Sequence, residues 1–118
     1  MLEQVKELYK VGSYQKSIEM LKKFMRVNRS SVEGRYLLGM SLINNNEFEL
    51  GIEELVHLVG VEPQFKKSLY LVIALAYKRI EQYDAAIEIV RQVLSSWIRE
   101  FRSTQITTTV WFIGASYI

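Results

Sequence analysis

Residues 46–59 read NEFELGIEELVHLV, and the order of residues in this stretch decides the fold. The aromatic Phe48 is followed three positions later by Gly51 and then by Ile52. From there Ile52, Leu55, Leu58 and Val59 recur at helical spacing along one face. Two other stretches carry the same order: 12–25, GSYQKSIEMLKKFM, with Tyr14, Ser17 and Ile18, and 81–94, EQYDAAIEIVRQVL, with Tyr83, Ala86 and Ile87. The copies are offset by 34 and 35 residues, a period that belongs to stacked helical hairpins. The additional residue fits after Pro63, where Gln64 and Phe65 lengthen a loop at small entropic cost.

Each stretch predicts an amphipathic helix whose apolar stripe is core: Ile18, Leu21, Phe24 and Met25 in the first, and Ile87, Val90, Val93 and Leu94 in the third. The small residue at 17, 51 and 86 is expected where two helices cross, because only a nearly absent side chain lets the axes approach. A second apolar helix lies upstream of each, through Val5 and Leu8, through Leu38, Gly39 and Leu42, and through Ile73, Ala74 and Tyr77. The turns between paired helices contain Gly12 and the run Asn44–Asn46 in the first two units, residues that tolerate a left-handed backbone. The third turn, Ile80–Gln82, lacks such a residue and is the weakest boundary. The units read 1–31, 32–66 and 67–100, with an apolar tail or partial further helix over 101–118.

Composition agrees with this organisation. The chain of 118 residues is 49% hydrophobic and 24% charged, as expected of one globular domain, and its one proline and six glycines leave long stretches free for helix. With no cysteine there are no disulfides or thiolate metal sites, which is compatible with a reducing compartment, and the cytoplasm is the expected location. The net charge of +2 is too small to mark nucleic acid or an anionic membrane as the main partner. It alternates along the chain, +4 over 1–31, −4 over 32–66 and +1 over 67–100. The N-terminus MLEQVKELYK has no apolar signal region, and no stretch approaches the roughly 20 apolar residues needed to span a bilayer.

Three in-register copies of this order resemble the tetratricopeptide repeat family. The middle unit resembles it through Leu38, Gly39, Leu42, Phe48, Gly51, Leu55, Leu58 and Pro63, and the third through Tyr70, Ala74, Tyr77, Tyr83, Ala86 and Val90. Departures are Arg35 where the family has an aromatic, Arg29 and Ile98 in place of the closing proline, and a shortened first helix. The resemblance implies an all-α fold of antiparallel helical hairpins stacked as a short right-handed α-solenoid. It also implies a non-catalytic protein-interaction scaffold that binds a partner helix or peptide in a concave groove lined by the first helix of each unit.

Carried over position by position, the family's groove falls on Tyr9 with Leu2, Lys6 and Lys10, then on Glu33, Tyr36, Met40, Ile43 and Asn44, then on Leu71, Leu75, Lys78 and Arg79 with Ser68. None of these is expected to point into a hairpin core. Tyr36, Met40, Ile43, Leu71 and Leu75 would form an apolar strip flanked by positive charge. The lysine and asparagine clamp by which some members hold the C-terminal carboxylate of Hsp70 or Hsp90 is absent, since the matching positions are Leu2, Lys6, Leu37, Ser68 and Val72.

The residues offer no catalytic or cofactor chemistry. His57 is the one histidine and reads as a helix-surface residue. Glu53 and Glu54 are adjacent, hence about 100° apart on a helix, and read as a solvated edge. Lys22, Lys23, Arg26 and Arg29 read as a solvated outer face, and there is no phosphate loop, dinucleotide fingerprint or metal-ligand spacing.

Two other functions are compatible with the period, an RNA-binding helical repeat and a membrane-tethered adaptor. The stretch YLVIALAYKRIEQYDAAIEIVR, 70–91, resembles the mitochondrial fission adaptor, which ends in a tail anchor. Against the first stands the aromatic-to-small signature, and against the second the apolar run of 13 residues from Ile106 to Ile118, too short to span. Trp111, Phe112, Ile113 and Ile118 in that run would each cost about 1.5–3 kcal/mol if left in water, so they are expected to dock on the last hairpin or on a partner.

Overall fold

The computed structural model describes residues 2–101, which form six α-helices: α1 Leu2–Lys10, α2 Tyr14–Val27, α3 Val32–Asn44, α4 Phe48–Val61, α5 Ser68–Arg79 and α6 Tyr83–Phe101. The expectations for the segment beyond Phe101 lie outside the described residues. Among the described residues no helix is long and apolar enough to cross a membrane. Each helix packs on the next and α1 also packs on α3, so three antiparallel hairpins stack in chain order.

The hairpin turns share one backbone device. Gly12 has φ +82°, Asn46 +65° and Glu81 +62°, one left-handed residue in each turn at the repeat offset. In every case that residue's N–H donates three residues back, to Tyr9, Ile43 or Lys78, at 3.0–3.1 Å. The following N–H donates five back, to Leu8, Leu42 or Tyr77, at 2.8–2.9 Å. This double bond satisfies carbonyls that a helix C-terminus otherwise leaves open. The third turn therefore has the geometry of the other two, although a glutamate holds the position that favours glycine.

The helix crossings require their small residues. A Cβ added to Gly39 on α3 would lie 2.5 Å from Cδ2 and 2.8 Å from Cγ of Leu55 on α4. One added to Gly51 would lie 2.7 Å from Cδ1 of Ile43 and 3.1 Å from the carbonyl oxygen of Gly39. Ser17 is fully buried at the same place in the first hairpin, and its hydroxyl donates to the carbonyl of Val5 at 3.4 Å. The α3 helix is the centre of the stack, with Gly34, Leu37, Leu38, Gly39, Ser41 and Leu42 all buried. At its start the hydroxyl of Ser31 accepts from the N–H of Gly34 at 3.0 Å, a side-chain cap.

Two apolar clusters run through the array. Val5, Ile18, Leu21, Leu37, Leu38 and Leu42 form the first, and Leu55, Leu58, Leu69 and Ile73 the second. The stripe expected as core on α6 does not follow suit. Val93 is buried, whereas Ile87, Val90 and Leu94 are exposed. Ile52 and Ile18, one and two units earlier, are covered by the first helix of the next hairpin, and no described helix follows α6.

Arg35 departs from the family's aromatic because it bridges the hairpin electrostatically. Its Nη1 donates to Oε2 of Glu54 on α4 at 2.7 Å, and its Nη2 donates to the carbonyl of Arg29 at 3.2 Å. Glu54 is thus the half-buried acceptor of a cross-helix ion pair rather than part of a solvated edge, while Glu53 is exposed as expected.

Candidate partner-binding groove

The first helices α1, α3 and α5 bring most of the expected groove residues to one side of the array, but they spend them differently. At the α1 end the groups satisfy one another. Lys6 Nζ lies 2.6 Å from Oε1 of Glu33, and this hydrogen bond is the main reason the ammonium is held above its ordinary pKa. Asn44 donates to the hydroxyl of Tyr9 at 3.0 Å and to the carbonyl of Met40 at 2.8 Å. The ring of Tyr9 stands edge-on to Tyr14 at 5.5 Å, and burial pushes its phenol above the usual value, with the Asn44 bond opposing that shift.

Tyr36 is also engaged. Its ring meets Phe65 of the α4–α5 loop edge-on at 5.6 Å, and the ammonium of Lys66 lies 4.4 Å above it. Tyr36, Met40 and Ile43 all pack against the cluster of Leu55, Leu58, Leu69 and Ile73, and the side chain of Ile43 closes over Gly51. They are therefore half-buried contributors to the core and not a free strip. The reason is the stacking itself, because α4 and α5 together supply the cluster that meets this side of α3.

What stays open is a cleft of about 680 Å³ between α3 and α5. Met40, Ile43 and Asn44 line it from α3, and Val72, Leu75, Ala76, Lys78 and Arg79 from α5, with Asn46 and Phe48 at its edge. The guanidinium of Arg79 stands 5.5 Å from the ring centre of Phe48. Neither Lys78 nor Arg79 makes an ion pair among the described residues. The cleft thus combines an apolar floor with two cations at one end, an arrangement that can hold an apolar side chain and orient an acidic group.

Sequence reasoning left Val72, Ala76 and Phe48 out of this wall. Val72 and Ala76 flank Leu75 by one turn and one residue, so the helical period around Leu75 carries the signal for both. Phe48, which the sequence offers as the aromatic of the repeat signature, is half-buried and reaches the cleft. Leu71 lies elsewhere. It borders a second, almost wholly apolar cleft of about 480 Å³ between α5 and α6, with Leu75 and Lys78 on the ridge between the two.

His57 is exposed and lies with Arg29, Arg35 and Val61 around a separate cleft of about 270 Å³ where the start of α3 meets the end of α4. Among the described residues no group of three or more His, Cys, Asp or Glu could hold a metal ion.

This geometry has solved counterparts. MamA from Desulfovibrio magneticus RS-1 superposes with a TM-score of 0.75 over 88% of this chain and 56% of its own, at 19% identity. MamA of AMB-1 gives 0.70 over 77% of this chain and 53% of its own, at 20% identity. At such identity the likeness is one of fold, and the chain spans about half the length of these structures. No curated protein matches the sequence. The family model of the tetratricopeptide repeat matches residues 68–96, which hold α5 and most of α6, so the third hairpin carries the repeat's sequence signature and the two hairpins before it share its form.

Proposed function

We propose that the chain is a non-catalytic scaffold whose α3–α5 cleft holds an apolar-anchored helix or extended segment of a partner protein. The observation that carries this reading is the open cleft itself, where Met40 and Leu75 offer apolar contact and, among the described residues, Lys78 and Arg79 make no ion pair. Methionine adapts to varied surfaces, and a few central residues of this kind can each contribute 1 kcal/mol or more to binding, as a rough figure for interface anchors. These two cations favour a partner segment with an acidic group beside its apolar anchor. Tyr9, Glu33 and Asn44 serve mainly to fix α1 against α3, since their polar groups are already matched.

The test is affinity capture from cell extract with quantitative mass spectrometry, comparing the wild-type chain with Arg79→Glu and with Leu75→Glu, a cleft residue that is 61% exposed. Both substitutions are expected to weaken capture of the main partner at least about tenfold, equivalent to roughly 1.4 kcal/mol, with the helical circular-dichroism signal unchanged. Glu53→Lys, on the exposed side of α4, is the control. Partners retained by both groove variants and lost by the control would place the binding face on the second helices. Binding that falls steeply with salt and follows added RNA would favour the nucleic-acid function instead.

A further inference from the structure

The second helices of the first two hairpins present outer faces of opposite chemistry. α2 and α4 run side by side in the same direction. At their starts Asn45 donates to Gln15 on α2 at 3.1 Å and to Glu47, just ahead of α4, at 2.9 Å. At their ends Arg29 lines one cleft with His57 and Val61. The exposed positions of the two helices correspond at the repeat offset of 34, so their outer faces look the same way. On α2 that face holds Lys16, Lys22, Lys23 and Arg26, and among the described residues none of them makes an ion pair. On α4 it holds Glu49 and Glu53, also without an ion pair among the described residues, together with Leu50 at 47%, Val56 at 38% and Val61 at 61% exposure. The inner side of α4 already buries Ile52, Leu55 and Leu58. A helix that is apolar on its outer side as well is one that the working protein covers there too.

We infer that a second copy of this chain covers these faces, in a two-fold dimer that lays α2 of each copy antiparallel across α4 of the other. A surface that fits α4 has to be basic and apolar at once. The outer face of α2 is both, since Val27 is 83% exposed beside the cations and the lysine stems are themselves apolar. An anionic membrane would attract α2 but repel the carboxylates of α4 that stand next to it. The order of residues along the helices selects the antiparallel arrangement. The cations Lys22, Lys23 and Arg26 and then Val27 occupy the second half of α2, whereas Glu49, Leu50 and Glu53 occupy the first half of α4. Antiparallel helices bring cations to carboxylates and Val27 to Leu50, while parallel ones would set the cations over Val56 and Val61. With α2 and α4 adjacent, a two-fold axis between them forms this contact twice, once in each direction. The inference does not rest on the reading of the α3–α5 cleft, because none of these residues lines it. Glu53→Lys should weaken the dimer and leave capture through the cleft intact, so the two can fail separately.

The test is sedimentation equilibrium of the purified full chain and of two charge-exchanged variants, Lys22→Glu with Arg26→Glu and Glu49→Lys with Glu53→Lys. The wild type is expected to form a dimer that weakens as salt is added. Each variant alone sets like charges face to face in both contacts, which should raise its dissociation constant at least about tenfold. An equal mixture of the two sets opposite charges together in both contacts, so the dimer should return, now with one copy of each variant. A wild type that stays monomeric at millimolar concentration would assign the faces to another protein or to solvent and overturn the inference. So would a dimer that neither variant weakens, which associates through another surface, and a mixture that stays monomeric while both variants keep the helical circular-dichroism signal. Species larger than a dimer would overturn the two-fold arrangement. If either double variant loses its helical signal, the single substitutions Lys22→Glu and Glu49→Lys are mixed and read in the same way.

Discussion

Replacing Gly39 by alanine tests the contact on which the central hairpin is built. The substitution alone favours helix, by about 1 kcal/mol on intrinsic propensity. Against that stands Leu55, which is fully buried on α4 and whose Cδ2 and Cγ would lie 2.5 and 2.8 Å from the new methyl. A collision at Cγ cannot be relieved by turning the end of the side chain, so the helices must separate or Leu55 must leave its rotamer, and overpacking of this sort costs about 1–3 kcal/mol. Gly60, also on α4, has no neighbour within 4 Å of an added Cβ. Gly60→Ala therefore receives only the propensity term and should gain about 0.5–1 kcal/mol. The difference between the two variants isolates the steric term, about 1–3 kcal/mol in favour of Gly60→Ala. Urea unfolding followed by far-ultraviolet circular dichroism measures it directly, provided the slopes agree. Leu55→Ala adds a check, because in the Gly39→Ala background it removes the colliding atoms and should cost less than in the wild type. If Gly39→Ala and Gly60→Ala shift the midpoint equally and in the same direction, the close approach of α3 and α4 at Gly39 is not real.

Three further substitutions probe other parts of the frame. Glu81→Gly should stabilise the chain by about 1 kcal/mol, since a side chain at φ +62° bears a left-handed penalty that glycine lacks; a lowered thermal midpoint would mean that the turn is not held there. Ser41→Ala should raise stability by about 1 kcal/mol, because the hydroxyl is buried without a hydrogen-bond partner among the described residues, and a loss of that size would reveal a bond the geometry does not show. A double-mutant cycle on Arg35→Ala and Glu54→Ala should give a coupling near 1 kcal/mol for this half-buried pair, where additivity would show that the two do not interact.

The repeat was legible in the sequence because its signals are local and recur. The aromatic at 14, 48 and 83, the small residue three positions on and the isoleucine after it mark the second helix of each hairpin, and all three helices form there. The turns were legible where Gly12 and Asn46 announce a left-handed residue, and Glu81 shows the limit of that signal. A turn shape can be imposed by the two helices it joins, through the bonds from Glu81 to Lys78 and from Gln82 to Tyr77, without a residue that prefers it. The Arg35–Glu54 pair was not legible, because its partners are 19 residues apart and neither has a helical neighbour of opposite sign that would suggest the crossing.

The groove was only half legible, and the cause lies in the stacking. A family position says which side of a first helix a residue occupies, but that side meets both the partner space and the next hairpin. Tyr36, Met40 and Ile43 therefore divide their surface between the open cleft and the cluster around Leu69 and Ile73. The same rule applied once more explains Ile87 and Val90. Their sequence context is that of Ile52 and Leu55, so periodicity assigns all four to the core, yet burial at these positions is supplied by whatever follows in the stack. A repeat cannot bury its own outward face, and the sequence of one unit is silent on its neighbour. Exposure at Ile87 and Val90 is for that reason a property of the stack and not of α6 alone, because among the described residues no helix seats on them as α3 seats on α2 and α5 on α4.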